Sequence, residues 1–448
     1  MIELESYRKA LKLLPPHIKE AEIEAEKNDY LAAGLMNKKP GGMKASDKTA
    51  LFVKVTGDKT GVTYTQNLEE DPLNVMEEAY YNSLYVKAIE PDIMLKGKID
   101  HIKYEAIDHV SMQDLQEKAA QISEAAYQCS QSLSHVEVQV TENIRTVGIV
   151  NSKGLDQTYR VRILEASLAL TSEGEIHKSL SLETSAASLQ ELSVDYFIYR
   201  IKEWLSLPSN KENLPSNHMK ALLDGTVMCN ILLTAWQMFS AQLYMEMATP
   251  FANKLSQVLV SDKVTLQDDP RALDSGYRKL FDCEGSIAET LNVIDKGKFI
   301  HLLHNLSTAN QMGVSPTGNA GRDVNLIQDQ TQVRVIPTNF RLLEGSKTKQ
   351  DLFTKLIDGI YIYESFDMFH SLNIASGDFA IPCKGILYEK GKAKGMINAI
   401  TISGNLVDLF AAIDEIANDT ATLSVVMSKS YQVMSPSVLV TKLQVTGG

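Results

Sequence analysis

Between Gln311 and Asp323 the chain runs QMGVSPTGNAGRD, a turn cluster punctuated by Gly and Pro. Gly313, Gly318 and Gly321 admit backbone angles closed to other residues, and Pro316 fixes one angle while removing a donor. Such a segment reverses direction tightly and lets backbones approach one another. On either side lie blocks of one style, KLFDCEGSIAETLNVIDKGKFIHLLHNLSTAN before it and ASGDFAIPCKGILYEKGKAKGMINAITISGNLVDLF after it. Each consists of apolar runs separated by Gly turns, a pattern of short strands. The cluster is therefore expected to close one strand-rich run and to open a long downstream segment.

Towards the N-terminus, Tyr7 to Leu14 reads as a short helix stopped by Pro15 and Pro16. AEIEAEKND, from Ala21, and TALFVKVTGDKTGVTYTQ, from Thr49, alternate or carry β-branched runs, with Gly57 and Gly61 marking a hairpin turn. The segment from Leu68 has apolar residues at Val75, Ala79 and Leu84, the spacing of an amphipathic helix over one sheet face. Met112 to Leu133 reads as a second such helix, followed by an antiparallel pair turning at Asn151 to Gly154. Ser188 and Glu191 have capping-box spacing and are expected to start a helix that ends near Pro208. Polar SNKENLPSNH then marks a domain boundary. Beyond it, Met219 to Asp224 reads as a strand and Gly225 to Tyr244 as one buried helix, apolar almost all round. Ser256 to Ile336 reads as strands and turns, Thr348 and Asp351 cap a short helix, Leu406 to Ala417 forms a last helix, and SPSVLVTKLQVTGG closes as strand. The expected fold is α+β. A sheet-and-helix domain over 1–208, with a subdivision near 110–130 left open, precedes a larger, strand-rich, mainly antiparallel domain over 209–448.

At 448 residues the chain exceeds what one core usually supports. Hydrophobic residues make up 44% and charged residues 22%, the balance of a folded globular protein. A net charge of -12 with a pI near 5.3 argues against phosphate backbones as partners, since these require clustered Lys and Arg. No direct nucleic-acid contact is expected. The opening MIELESYRKALKLLPP places Glu3 and Glu5 where a secretory signal would be basic, and no apolar run reaches bilayer length. The expectation is a cytoplasmic protein without a membrane partner. Cys129, Cys229, Cys283 and Cys383 are scattered singly and fit reduced packing thiols.

Residues that offer chemistry are few. His301 and His304 form an HxxH pair, but on a strand-like run that spacing points them to opposite faces. Cys283 in FDCEG reads as a structural thiol. Gly318 to Gly321, and GSKT at Gly345 to Thr348, lack the order of a phosphate loop, and no GxSxG elbow occurs. Asp268 and Asp269 read as solvated carboxylates ending a strand, and Trp236, Met238 and Phe239 as core or subunit interface. No catalytic or cofactor-binding set is expected in this chain.

The wording MGVSPTGNAGR, with FDCEG before it and SGDFAIPCKGILYEKG and ITISGN after it, resembles the C-terminal region of the TldD/PmbA family. Members carry the name of modulators of DNA gyrase. The match is closer to the PmbA (TldE) branch, and weaker similarity extends over nearly the whole chain. The resemblance marks Gly313, Pro316, Thr317, Gly318, Asn319, Gly321 and Arg322 as motif residues with structural roles. It marks Gly377, Phe379, Gly404 and Asn405 in the same way. In the TldD branch a helix at the position of Gly225 to Tyr244 carries HExxxH, with the glutamate as general base and a distal cysteine completing a zinc site. Here that stretch offers only Cys229, none of the nine histidines is followed by Glu, and no cysteine follows Cys383. The resemblance thus implies a metal-free subunit of a two-component metallopeptidase that degrades small or unfolded polypeptides. Zinc is then expected only in a HExxxH-bearing, TldD-like partner, and the substrate is an extended peptide. A reading from another class is a homodimeric peptide-binding or assembly protein without catalysis. An independent hydrolase is a third, for which no nucleophile, base and orienter announce themselves.

Overall fold

The structure, a computed structural model, describes residues 4–86, 93–97, 107, 109–173, 178–322, 332–367, 369–424 and 431–447. Asp323, and with it part of the strand-rich run expected up to Ile336, lies outside the described residues.

The N-terminal part opens with α1 (Glu5–Ala10), β1 (Glu20–Met36), β2 (Lys39–Thr56), β3 (Thr60–Thr65) and α2 (Pro72–Ser83). α3 (Met112–Cys129), β4 (Leu133–Asn151), β5 (Asp156–Ser172), β6 (Lys178–Ala186) and α4 (Val194–Ser206) come next. The strands form one antiparallel sheet in the order β3-β2-β1-β4-β5-β6. Strand alternation sends Ala21, Ile23 and Ala25 of β1 to one face, where they meet Val53, Val75 and Ala79 under α1 and α2. Farther along that face Ala33, Val138 and Leu168 pack under α3 and α4. The other face of β1 carries Glu22, Glu24 and Glu26. Glu22 is buried beside Lys54 and Asn151, and Glu24 is buried where Arg322 of the C-terminal part covers it.

Most N-terminal elements agree with the pattern of the sequence, and the start of α4 does not. The Glu191 carboxylate accepts from the backbone N–H of Ala187 and Ser188 at 3.2 and 3.1 Å, which closes a turn before the helix. Ser193 is the real cap, accepting from the Tyr196 N–H at 3.2 Å.

The C-terminal part begins with β7 (Asn217–Leu223), α5 (Gly225–Ala235), α6 (Ala241–Met245), β8 (Leu266–Asp268), β9 (Leu291–Asp295) and β10 (Lys298–Phe299). Next come α7 (Leu306–Met312), β11 (Ala320–Arg322), β12 (Val333–Val335), β13 (Asn339–Leu342), α8 (Lys349–Leu356) and β14 (Gly359–Ser365). It ends with β15 (Asp378–Glu389), β16 (Lys392–Asn405), α9 (Leu406–Ala411), β17 (Ile413–Ile416), β18 (Ala421–Ser424), β19 (Gln432–Ser435) and β20 (Val438–Gly447). One sheet runs β10-β9-β8-β13-β19-β18 and another β16-β15-β14-β7-β20-β17. Only the β13–β19 and β14–β7 neighbours within them are parallel. An extra β16–β20 pairing makes five strands of the second sheet close on themselves. α5 packs against β18 and β19 of one sheet and β14 of the other, so its Val227, Ile231 and Leu232 are fully enclosed. The fold is α+β with mainly antiparallel sheets. No helix among the described residues is long and apolar enough to cross a membrane.

Three expectations change here. The buried helix from Gly225 is broken, because Ser240 leaves helical geometry and the backbone there pairs with Leu303 instead of with itself. A helix, α7, interrupts the strands: Asn305 and Thr308 form a reciprocal cap, and Gly313, at φ 67°, ends it. The last helix stops at Ala411, after which Ile413–Ile416 pairs with β20 as β17.

Asp224 fastens these layers together. Fully buried at the start of α5, its carboxylate caps the Thr226 N–H at 2.9 Å and accepts from Arg200 of α4 at 2.9 Å and the Tyr361 hydroxyl of β14 at 2.7 Å. Lys349 of α8 makes a further ion pair with it. Burial works against its charge, and the two cations override that, holding it well below the usual carboxylate range.

Candidate functional site

The PTGNAGR segment gathers distant backbone around itself. The Thr317 hydroxyl accepts from the His304 N–H at 2.7 Å and donates to Asn319 at 2.6 Å. The Asn319 side-chain amide donates to Asp268 at 2.7 Å, and the Asn319 backbone carbonyl accepts from the Ile336 N–H at 2.7 Å. Asp268, only 2% exposed, also accepts from the Thr338 and Asn339 N–H groups at 2.8 and 2.9 Å. It is therefore a buried anchor rather than a solvated turn carboxylate, because its donors come from the far side of the loop. Gly318, at φ +73°, lies against Ala288, with no room for a side chain. Ala320 donates to Asp282 at 2.9 Å. Arg322 reaches across to Glu24 of β1 at 2.7 Å and lies 4.4 Å from the Phe52 ring.

A cavity of about 240 Å³ lies where these groups face the N-terminal sheet. Glu24, Glu26, Phe52, Tyr64, Arg145 and Tyr159 form the sheet wall. Lys279, Phe281, Asp282, Cys283, Gly321 and Arg322 are on the opposite wall. Tyr159 and Phe281 meet edge to face at 4.8 Å, joining the two walls. Arg145 pairs with Glu26 at 2.7 Å. Burial raises the Glu26 carboxyl, but Arg145 and the Asn28 amide more than offset this and hold it below its usual value. At Glu24 burial wins over Arg322, and the carboxyl is raised. Lys279 is lowered by burial, against the pull of Asp268 and Asp282.

Burial, then the charge of Glu284, push Asp282 up to about 7, although Lys279 and backbone N–H groups of Ala320 and Ser286 oppose them. A carboxyl raised from 3.8 contributes stability that is fully present below that value and lost as pH rises to about 7. The stability of the parent chain relative to Asp282→Asn is therefore expected to fall steadily across that interval in urea melts. The amide adds an offset that does not depend on pH, so the slope is the readout. A flat difference would contradict the raised carboxyl.

The other motif residues form a second cluster. Phe379 lies opposite Gly404, and Asp378 opposite Asn405, on the β15–β16 pair. Asn405 caps α9 through the Val407 N–H at 3.0 Å and donates to the Ser376 carbonyl at 2.9 Å. The Leu406 N–H donates to the Gly377 carbonyl at 2.8 Å. These residues shape a turn and a helix start, and the cavity is lined by others. Gly313 ends α7, and Pro316 precedes the Thr317 contacts.

His301 and His304 do not share a strand, since β10 ends at Phe299. His301 is exposed and bonds the Asn292 carbonyl at 2.9 Å, while burial pushes His304 down to about 4. Cys283 is buried, and burial pushes its thiol well up. Thr348 and Asp351 cap α8 reciprocally, and Gly345 packs against the Ile416 carbonyl, so GSKT serves a helix start. Trp236, Met238 and Phe239 are core residues. Sequence reasoning missed the acidic row of β1, Arg145 and Lys279. The alternation of Glu with Ala and Ile in AEIEAE was the available signal for the first of these.

Residues 216–447 match the model of the PmbA/TldA metallopeptidase C-terminal domain. A metalloprotease PmbA homologue of Buchnera aphidicola subsp. Baizongia pistaciae is 21% identical over 307 residues, 68% of this chain and 63% of that one. A metalloprotease of Archaeoglobus fulgidus is 25% identical over 276 residues, 60% of this chain and 62% of that one. The chain thus spans less than two thirds of the length of these relatives. TldE from Thermococcus kodakarensis superposes with a TM-score of 0.84 at 18% identity, over 99% of this chain and 100% of that one. A Thermotoga maritima protein, named as a candidate modulator of DNA gyrase, gives 0.85 at 24% identity over 99% and 100%. Those two likenesses concern the fold. With the family model spanning more than half of the residues, including both glycine clusters, the chain belongs to the PmbA/TldD family.

Proposed function

We propose that this chain is the metal-free, TldE-like subunit of a metallopeptidase complex that degrades small or unfolded polypeptides, with zinc supplied by a HExxxH-bearing partner. The family's members are metalloproteases by name, and α5 is the observation that carries the reading. Zinc hydrolysis needs a set of His, Cys or carboxylate ligands around an open coordination position. α5 presents Val227, Met228, Cys229, Ile231, Leu232 and Leu233 to a closed core. Its one donor, Cys229, gives its S–H to the Ala421 carbonyl at 3.3 Å, and burial pushes that thiol up, away from the thiolate a metal requires. These residues do not fit a zinc ion. An extended substrate has a template in β2, whose outer edge over 39–50 has no neighbouring strand among the described residues.

The alternative is a homodimeric peptide-binding or assembly protein. Tyr81, Leu84 and Tyr85, more than half exposed at the end of α2, are apolar surface that either a partner or a second copy would cover. Purification of the chain from its native cell, with mass spectrometry of what stays bound, separates the two. The proposal expects a HExxxH-containing chain in comparable amount. Recovery of the chain only with copies of itself would favour the alternative, and a monomer of the isolated chain by light scattering would count against the homodimer and leave the hetero-complex standing.

A further inference from the structure

The cavity between the sheet and the FDCEG and NAGR segments plays no part in the peptidase reading and is independent of it. Its walls carry both signs of charge. Glu24 is matched by Arg322 and Glu26 by Arg145, each at 2.7 Å. Other polar groups there are left over. Among the described residues, the Lys279 ammonium makes no hydrogen bond and no ion pair. The Arg145 Nε–H and the Asn143 Oδ1 are buried without a partner, and Asn143 is only 4% exposed. Lys279 is half-buried, whereas buried polar groups such as the Arg145 Nε–H and the Asn143 Oδ1 cost stability unless something satisfies them. Asp282, the acid on the Lys279 wall, has its oxygens engaged by the N–H groups of Glu284, Ser286 and Ala320.

The leftovers are two donors, both on cations, and an acceptor beside the Glu26 carboxylate. They lie among Phe52, Tyr64, Tyr159 and Phe281. A dry cavity of roughly 150 Å³ holds a benzene ring, so about 240 Å³ leaves room for a ring or branched side chain and a short polar head. A phosphate dianion would meet Glu24, Glu26 and Asp282, and the backbone of a peptide's interior brings no charge for Lys279. We infer that this cavity binds a free α-amino acid with an apolar side chain, its carboxylate on Lys279 and Arg145 and its ammonium on Asn143 and Glu26.

Calorimetric titration of the full chain with L-phenylalanine, N-acetyl-L-phenylalanine and L-phenylalaninamide tests this. The acetyl form lacks the ammonium, as does a peptide's C-terminal residue, and the amide lacks the carboxylate, as does its N-terminal residue. The expected result is saturable binding of L-phenylalanine, weakened about tenfold or more by either cap, as loss of a hydrogen-bonded charge requires. Lys279→Met should weaken L-phenylalanine by a similar factor and leave the amide unchanged, since the carboxylate is its target. Absence of saturable L-phenylalanine binding, equal binding of either capped form, or unchanged affinity in a folded Lys279→Met chain would overturn the inference. The capped ligands on the parent chain decide the matter even if the variant does not fold.

Discussion

Asp224→Ala is expected to lower the stability of the chain by about 3–5 kcal/mol, the cost of leaving buried charges uncompensated. The substitution strands Arg200 and Lys349, which are 7% and 4% exposed, in the core beside one another. It also removes the cap of α5 and leaves the Tyr361 hydroxyl without its acceptor. One carboxylate holds α4, α5, α8 and β14, so the loss should be felt throughout the C-terminal core. Urea unfolding should show a lower midpoint with little change of slope. A loss below about 1 kcal/mol would mean that water or neighbouring acids such as Glu203 compensate the cations, and that the network contributes little.

Gly318→Val is expected to cost about 3 kcal/mol or more, combining a β-branched residue in the left-handed region with an overpacked contact. The added Cβ would sit 2.5 Å from both the Ala288 Cα and the Ile287 carbonyl oxygen, and backbone there cannot give way as a side chain could. Gly321→Val is a different case. Gly321 lies in β11 without a positive φ, and its Cβ would meet only the Ile336 side chain at 3.2 Å. A cost nearer ~1 kcal/mol is expected. Urea melts of the two variants should therefore separate clearly. Equal losses, or none at Gly318, would remove the PTGNAGR segment from its organising place.

That separation shows where sequence reading stops. Strands at AEIEAE and VEVQV, the helices over Pro72–Ser83 and Met112–Cys129 and the turn at Asn151 to Gly154 arise from period and turn chemistry, which are local. The start of α4 and the break at Ser240 depend on which of several polar or backbone groups finds a partner, and Leu303 is far from Ser240 in sequence. α7 is only seven residues long, and its cap at Asn305 outweighs its weak periodicity. The motif residues of the PTGNAGR turn were legible as a cluster, whereas their contacts were not. Asp268 looks solvated until Asn319, Thr338 and Asn339 surround it. The Glu row of β1 looks like an exposed strand face until Arg322, 298 residues later, closes over Glu24. A cavity whose walls come from eight separated stretches has no local signature, although two of those stretches, FDCEG and NAGR, stood out for their wording.

The reading of this chain as a zinc-free subunit is tested most directly by one paired measurement. Metal content and cleavage of an unfolded peptide are measured for the purified chain alone, and again after a HExxxH-bearing partner is added. No stoichiometric zinc and no turnover are expected of the chain alone, because Thr234, Ala235 and Phe239, nearest to the slots for ligand, base and ligand, offer neither imidazole nor carboxylate and are buried. Turnover should appear in the mixture, with zinc at the partner's ligands. About one tightly held zinc per chain, with chelator-sensitive cleavage by the chain alone, would contradict it.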